Sequence, residues 1–276
     1  MKRTLVTKRI KCFLTLFVLL AAVPVFGQTG SQSALEIIRS SRNRIQSQSQ
    51  IARARMVITA KNGSETVMIM DQFSKDSPNG IKRSVVSFPD SEDGRTLNSR
   101  KFANTRFLTI QTPGQSDNRR IYLPELRRVR TIAAGDGGES FLGTDFSYDD
   151  ISSASRNADL DNHTLVREEN YNGKACYVIE SRPKDSSFAY GLMRSWIDKS
   201  ASLLYKIEIY NRSGTMIKIL EMSDYRNVQG RLTAIQTKIA TLETGSSTTI
   251  TMERIRYDVA ISDSLFTDNY LLTGRY

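Results

Sequence analysis

Short segments in which apolar and polar residues alternate, separated by clusters of turn-forming residues, place the strongest constraint on the fold of this chain. The first covers residues 52–60, where alanine, methionine or isoleucine occupies every second position and Arg53, Arg55 and Thr59 lie between them. Because successive side chains of a strand point to opposite faces, a period of two predicts a half-buried β-strand. Similar segments recur along the chain, and we expect about ten or eleven strands in all.

Turn signals between these segments indicate how the strands pair. Asn172-Gly173 lies between two alternating segments and is the strongest short signal for a β-hairpin; residues 212–214 and 229–230 predict further turns. The chain shows no strand–helix–strand alternation, so the sheet should be antiparallel and strongly curved. Before the first strand, residues 33–50 carry apolar side chains at roughly helical spacing and predict one thin amphipathic helix.

The first 27 residues have the three regions of a secretory signal peptide. Five basic residues without an acid precede an apolar run, and small residues precede an expected cut near Gly27-Gln28. We therefore expect residues 1–27 to be a signal peptide, residues 28–33 a mobile leader and residues 34–276 a single domain. An uncleaved membrane anchor is the alternative, although the run is shorter than the ~20 apolar residues that span a bilayer.

The net charge limits the kinds of partner this chain can bind, and the number of cysteines limits the disulfides it can form. The full chain carries a net charge of +10, and loss of the five basic residues of the signal peptide would leave about +5. That excess is too small to argue for a nucleic-acid partner, but it suits a surface of anionic lipid. Cys176 would be the one cysteine of the mature chain, so no intramolecular disulfide is expected and stability must come from the core.

The metal-binding motifs are incomplete. A calcium loop that starts at Asp145 would need glycine at its sixth position and glutamate at its twelfth, where Asp150 and Arg156 stand. The chain has a single histidine, His163, so a zinc ligand set is missing. We therefore expect no metal, although binding of a hard cation by carboxylates alone is an open alternative.

The predicted hairpin at residues 172–173 indicates whether Cys176 and His163 could form a nucleophilic pair. A two-residue turn there places Cys176 opposite Glu169 and His163 opposite Arg182. The thiol and the imidazole would then be far apart along the ladder, which favours a buried structural thiol and a surface histidine over a Cys-His pair. We expect a protein that is not an enzyme and has no cofactor; a carboxylate-dependent hydrolase is the weakest alternative.

Two neighbouring segments carry opposite charge. Residues 119–130 hold five arginines and one glutamate, and residues 136–150 hold five acids and no base. The simplest interpretation is structural: arginine side chains bind the carboxylates while the aromatic residues pack beneath them. Ser147 followed by Asp150 also suits a capping box for a short helix that enters Ile151.

These segments resemble the signature of the LolA-like outer-membrane lipoprotein-sorting proteins of bacteria. The most specific part is SFLGTDFSYDD at residues 140–150, which follows the spacing Tyr122-x-Pro124 and the arginine run at 127–130. Weaker similarities at residues 173–184, 196–198 and 263–266 extend the resemblance over nearly all of the mature chain. The candidate lid and motif residues are Tyr122, Pro124, Arg127, Arg128, Phe141, Gly143, Asp145, Phe146, Asp149 and Asp150.

The resemblance implies an exported, periplasmic carrier with a mainly β fold. The curved antiparallel sheet would form an incomplete, half-open barrel, and a few short helices would form a lid over an apolar cavity. Lipoprotein acyl chains or phospholipids would occupy that cavity, and an inner-membrane exporter and an outer-membrane acceptor would be the membrane partners. The alternative is a surface or envelope interaction module, adhesin-like or a scaffold, that uses the same β fold.

A barrel that holds a ligand needs large apolar residues turned inward at strand spacing, and this chain supplies them. The candidate lipid-binding residues are Met56, Ile58, Met68, Met70, Phe107, Trp196, Tyr205, Ile207 and Ile209. The abundance of methionine favours a cavity, because an unbranched thioether adapts to chains of varying shape. The alternative, in which these side chains fill an ordinary solid core, stays open at this point.

Overall fold

The computed structural model describes residues 33–153 and 156–276, which contain fifteen β-strands and three α-helices. The strands are β1 (Ser49–Thr59), β2 (Glu65–Asp76), β3 (Lys82–Ser87), β4 (Ser91–Glu92), β5 (Arg95–Thr96), β6 (Arg106–Gln111), β7 (Asn118–Leu123), β8 (Arg128–Thr131), β9 (Asp161–Tyr171), β10 (Lys174–Pro183), β11 (Leu192–Asp198), β12 (Leu204–Tyr210), β13 (Met216–Val228), β14 (Arg231–Thr241) and β15 (Ser246–Tyr257). The helices are α1 (Ala34–Arg42), α2 (Tyr148–Ser153) and α3 (Asp268–Thr273). Short 3-10 helices lie at Ala134–Asp136, Ala158–Leu160 and Asp263–Phe266.

Thirteen of these strands form one antiparallel sheet. Their order is β8-β7-β6-β3-β2-β1-β15-β14-β13-β12-β11-β10-β9, and β4 and β5 pair separately. The two edge strands, β8 and β9, do not pair with each other, so the sheet is not closed into a barrel. The predicted mainly β, antiparallel architecture is confirmed.

The predicted number of ten or eleven strands is wrong. Strands β4 and β5 have two residues each, too few to show any alternation. Strand β8 has the sequence RVRT and reads in the sequence as part of the arginine run. Pairing with the longer strand β7 supplies the hydrogen bonds that define β8, and β4 and β5 pair with each other. Such pairing is not visible in a local pattern.

The connectivity explains why the sheet is wide. Strands β1 to β8 and strands β9 to β15 form two series in which neighbours in the sheet follow one another along the chain, apart from the small β4–β5 pair. Pairing of β1 with β15 joins the two series at the middle of the sheet. The connection between β8 and β9 must therefore run from one edge of the sheet to the other.

The two faces of the sheet are covered by different parts of the chain. The inner face, defined by Met56, Met68, Phe107 and Ile239, packs against residues of the β8–β9 connection. At the β3–β6–β7 end, the opposite face packs against the C-terminal residues 259–271. The long connection is therefore the part of the chain that covers the inner face.

Helix α1 is shorter than the predicted helix over residues 33–50. It begins with a capping box, in which Ser33 accepts from the backbone of Glu36 and the Glu36 carboxylate accepts from the backbone of Ser33. It ends at Arg42, because the following residues leave the helix and β1 begins at Ser49, where the chain pairs with β2. Ile37 and Ile38 bury its apolar side against Ile179 and Ile197 of strands β10 and β11.

The predicted signal peptide and all but one residue of the predicted mobile leader lie outside the described residues, and both stay predictions. Within residues 33–153 and 156–276, no helix has the length and apolarity needed to cross a bilayer.

Candidate functional site

Seven of the nine candidate lipid-binding residues come together in one apolar cluster on the inner face. Met56 and Met68 have no exposed surface, and Phe107 is 1% exposed. The cluster also contains Met70, Ile209, Ile58 and Ile207. Strand alternation therefore placed most of these side chains together on one face, and their role in lipid binding stays a prediction.

Trp196 and Tyr205 lie elsewhere, so the prediction that they share this surface is wrong. In the β11–β12 ladder, Met193 faces Ile209 and Ser195 faces Ile207, which puts Trp196 on the opposite face. Trp196 packs there with Cys176, Val178 and Tyr205, and the ammonium group of Lys206 lies 4.4 Å from its ring centroid. The register of the β11–β12 ladder shifts between Trp196 and Ile197, and Tyr205 lies at this irregularity. The alternation in the sequence does not reveal such a shift.

The aromatic residues of the β8–β9 connection cover the apolar cluster. We call residues 137–151 the cover segment. The Phe107 ring lies 5.4 Å from the rings of both Phe141 and Tyr148, and these two rings meet edge to face at 5.7 Å. Phe141 is fully buried, and Phe146 is 4% exposed. The side chains of the protein itself therefore fill this part of the inner face.

A tight turn shapes the first part of the cover segment. The backbone N–H of Phe141 donates to Phe146 O at 2.8 Å, and between them Leu142 and Gly143 have φ values of 54° and 77°. Glycine adopts a positive φ without the steric cost that a Cβ atom adds, which suits Gly143 to this position. This turn directs the side chains of Phe141 and Phe146 toward the sheet.

The first carboxylate of the cover segment, Asp145, binds two hydroxyl groups of strand β15. Ser246 Oγ donates to Asp145 Oδ1 at 2.5 Å, and Thr248 Oγ1 donates to Oδ2 at 2.7 Å. Thr248 Oγ1 also accepts from the backbone N–H of Asp145 at 2.9 Å. Asp145 is 6% exposed, so these bonds replace the water that the charged group has lost.

The second carboxylate, Asp149, connects the cover segment to strand β7. Arg119 Nη1 lies 2.7 Å from Asp149 Oδ1, and the side chains of both residues are less than a tenth exposed. The backbone N–H of Ala189 donates to Asp149 Oδ2 at 3.0 Å. Gly137 passes so close to this carboxylate that a Cβ atom would overlap it. The ion pair therefore requires glycine at position 137.

The third carboxylate, Asp150, connects the segment to strand β13. Lys218 Nζ lies 3.0 Å from Asp150 Oδ2, and Tyr190 Oη donates to the same carboxylate at 2.8 Å. Burial, and then the charge of Asp150, raises the pKa of Tyr190, so the phenol stays protonated and donates. The backbone of Ser147 donates to Asp150 and the Ser147 hydroxyl accepts from the backbone of Asp150, which confirms the predicted capping box.

The three carboxylates thus anchor one segment to three separate strands. Strand β7 is second in the order of the sheet, β15 is seventh and β13 is ninth, so the anchors span most of the inner face. All oxygens of these three groups bind other parts of the protein at distances of 2.5 to 3.0 Å. What holds the cover segment in place is polar, and what it covers is apolar.

The predicted pairing of the arginine run with these acids occurs at Arg119 and much more weakly elsewhere. Arg130 lies 3.8 Å from Asp136 in an exposed pair. Arg127 and Arg128 are exposed, and they form no salt bridge within the described part of the chain. The other two carboxylates bind hydroxyl groups and a lysine that the sequence does not place near them.

Tyr122 and Pro124, two further motif residues, lie outside this site. Tyr122 packs in the apolar cluster on the opposite face of the sheet, and the Arg106 guanidinium lies 5.7 Å from the centroid of its ring. Pro124 is half-buried at the end of β7 and accepts from the backbone of Arg127 in the turn before β8. Neither side chain belongs to the inner-face cluster.

Sequence reasoning missed Lys218, Tyr190, Ser246 and Thr248. Only Lys218 leaves a signal, since it is a charged residue at an inward position of the apolar segment TMIKILEM. A charged side chain at a buried position requires an ion-pair or hydrogen-bond partner.

The histidine and the cysteine are apart, as their ladder predicts, but with a different register. Cys176 faces Glu169 as expected, whereas His163 faces Ser181 because the register shifts between Val178 and Ile179. His163 Nδ1 lies 2.7 Å from Ser181 Oγ. Burial lowers the pKa of His163.

Comparisons with known proteins agree with this architecture. A family model described as that of an uncharacterized protein matches residues 95–273, which is more than half of the chain. None of the curated proteins matches the sequence.

Three solved structures resemble the whole fold. A domain from Vibrio parahaemolyticus, described as part of an outer membrane lipoprotein-sorting protein, has a TM-score of 0.78 and 24% identity over 87% of this chain and 98% of its own. A DUF1329 family protein from Desulfovibrio piger has a TM-score of 0.79 and 26% identity over 86% of this chain and 97% of its own. A LolA superfamily protein from Nitrosomonas europaea has a TM-score of 0.66 and 18% identity over 87% of this chain and 100% of its own. The chain therefore belongs to the family of that uncharacterized protein, and its fold is that of the LolA-like outer-membrane lipoprotein-sorting proteins.

Proposed function

We propose that this protein is an exported carrier that binds acyl chains on its inner face and transfers them across the cell envelope without chemical reaction. The observation that carries the proposal is the apolar cluster beneath a cover segment that is held by polar anchors. Side-chain anchors can exchange their partners for water when the segment moves, whereas the exposed apolar surface needs a new apolar partner. An acyl chain is such a partner.

The free energy lost when the aromatic side chains are released and the free energy gained when an acyl chain is buried are of similar size. Burial of one large apolar side chain contributes about 1.5 to 3 kcal/mol, so release of Phe141, Phe146 and Tyr148 would cost roughly 5 to 9 kcal/mol. Each buried methylene contributes about 0.8 kcal/mol, so about six to eleven methylenes offset that loss. A single lipid acyl chain supplies this number of methylenes and offsets the loss of these aromatic contacts. The broken anchors add a further cost, which keeps binding reversible.

The carrier would act in the periplasm. Lipoproteins or phospholipids are its cargo in this proposal, an inner-membrane exporter loads it and an outer-membrane acceptor unloads it. The fold shared with a lipoprotein-sorting domain and a LolA superfamily protein supports this assignment.

Binding of an acyl lipid with an environment-sensitive fluorophore tests the proposal. We expect the wild-type protein to bind it and Ile58→Glu to abolish binding, because this change places a charge on the inner face. Val67→Glu is the matched control, since Val67 lies on the neighbouring strand with its side chain 39% exposed outside the cluster. Wild-type protein that neither binds the probe nor co-purifies with acyl lipid would contradict the carrier and favour the interaction module.

A further inference from the structure

Two adjoining cavities with charged residues in their walls lie at one end of the inner face. Their volumes are about 370 and 230 Å³. The larger is bounded by α1, the start of β3, the loop after β6 and residues 156–160, and the smaller by the chain between α1 and β1 and by strands β2 and β3. Arg42 and Lys82 line both, so the two cavities share a wall.

The lining of these cavities is rich in positive charge. Three acidic side chains, Asp76, Asp117 and Asp159, line the cavities. The cationic lining residues are Arg39, Arg42, Arg44, Lys82, Arg83 and Arg156. Cations in this excess, close together on concave walls, attract an anion.

Pairing inside the protein does not remove this excess. Arg42 and Arg156 share a single fully buried carboxylate, Asp161, at 3.5 Å and 2.7 Å. Burial lowers the pKa of Arg42, and the neighbouring Arg156 adds to this effect while Asp161 opposes it. Two guanidinium groups on one carboxylate leave one positive charge to be met by a further anion.

Lys82 is a cation of this lining that has no carboxylate within ion-pair distance among the described residues. It faces Asp76 across the β2–β3 ladder and Gln111 across the β3–β6 ladder. Within residues 33–153 and 156–276 it forms no salt bridge. Burial raises the pKa of Asp76, and the charge of Lys82 opposes that rise. Lys82 lines both cavities, so its positive charge is available to an anion bound there.

The two cavities continue directly from the apolar cluster. Ile151 of the cover segment packs against that cluster and also lines the smaller cavity. On β2, Gln72 lines the cavity and is two residues from Met70 of the cluster, so both side chains lie on the same face. On β3, Ser84 has the same relation to Val86. One continuous surface thus changes from apolar to cationic.

We propose that these cavities bind the anionic, phosphate-type head group of an amphiphile whose acyl chains lie on the apolar cluster. This inference rests on the proposed carrier function and specifies its cargo as an acidic phospholipid. Arginine and lysine side chains bind phosphate oxygens through charge-assisted hydrogen bonds. A neutral acyl glyceride would fill the apolar cluster and leave the cations without a counter-charge.

Two lipids with identical acyl chains test the inference, phosphatidylglycerol and diacylglycerol. We expect the wild-type protein to bind phosphatidylglycerol at least about tenfold more tightly, and Lys82→Gln to lose most of that preference while its affinity for diacylglycerol stays the same. Lys61→Gln is the matched control, since it removes the same charge in the exposed turn at the far end of the β1–β2 ladder. The melting temperature of each variant confirms that it is folded.

The outcomes separate the two proposals. Equal affinity of the wild-type protein for both lipids would overturn the head-group site and leave the carrier function standing. Binding of neither lipid would overturn both. Titration with inorganic phosphate distinguishes the source of the anion: we expect weak binding that Lys82→Gln abolishes, whereas phosphate that binds as tightly as phosphatidylglycerol would show a site for the free ion and refute a lipid head group.

Discussion

Replacement of Asp145 by asparagine tests whether the carboxylates of the cover segment act as anchors. The carboxylate accepts one hydrogen bond from Ser246 and one from Thr248, and asparagine keeps one acceptor oxygen. A hydrogen bond to a charged group contributes about 1.5 to 3 kcal/mol, and we expect Asp145→Asn to lower the free energy of unfolding by that amount. For a domain of this size the melting temperature should fall by about 3 to 12 °C.

Urea and thermal unfolding, followed by circular dichroism, measure the effect. Asp136→Asn is the matched control within the same connection, because Asp136 is exposed and its pair with Arg130 at 3.8 Å contributes less than ~1 kcal/mol. A double-mutant cycle with Thr248→Val isolates the bond between the two side chains, and we expect a coupling energy of about 0.5 to 3 kcal/mol. Equal stability of Asp145→Asn and Asp136→Asn, or additive effects in the cycle, would refute the anchor.

Three further predictions concern other parts of the molecule. The fluorescence of Trp196 should stay constant when an acyl lipid binds, because its ring packs on the opposite face; a titration followed at its emission maximum checks this. Gly137→Ala should destabilise the protein in thermal unfolding by displacing the Asp149 carboxylate, whereas Gly135→Ala, with open space around it, should not. The lowered pKa of His163 means that the unfolded chain takes up a proton first, so stability should fall as the pH drops below about 6.5, and His163→Gln should reduce that slope in urea titrations at several pH values.

The sequence predicts those features of the fold that depend on neighbouring residues. Alternation identifies the long strands, and Asn172-Gly173 identifies a hairpin whose first residue pairs form as expected, up to Val178 and Arg167. The capping box of Ser147 and Asp150 is equally local and is confirmed. In each case a few consecutive residues determine the geometry.

Features that depend on a partner strand are not visible in the sequence. A register shift after Trp196 and another after Val178 change which residues face each other, because a bulge depends on how two strands fit together. The partners of Asp145 and Asp150 lie about 40 to 100 residues further along the chain. A cluster of acids therefore predicts buried anchors in general, but it cannot identify Thr248 or Lys218.

The topology of the sheet explains why the cover segment can be both ordered and separable. Since β8 and β9 are opposite edges of an unclosed sheet, the chain between them has to run from one edge to the other, and the cover segment packs on the inner face. Within the described residues, the backbone hydrogen bonds of the cover segment to other backbone groups stay inside residues 134–153, and its bonds to the sheet involve side chains. Displacement of the segment would therefore break side-chain contacts without unpairing any of the thirteen strands. An apolar ligand that replaces Phe141 and Tyr148 against Phe107 would leave the sheet intact.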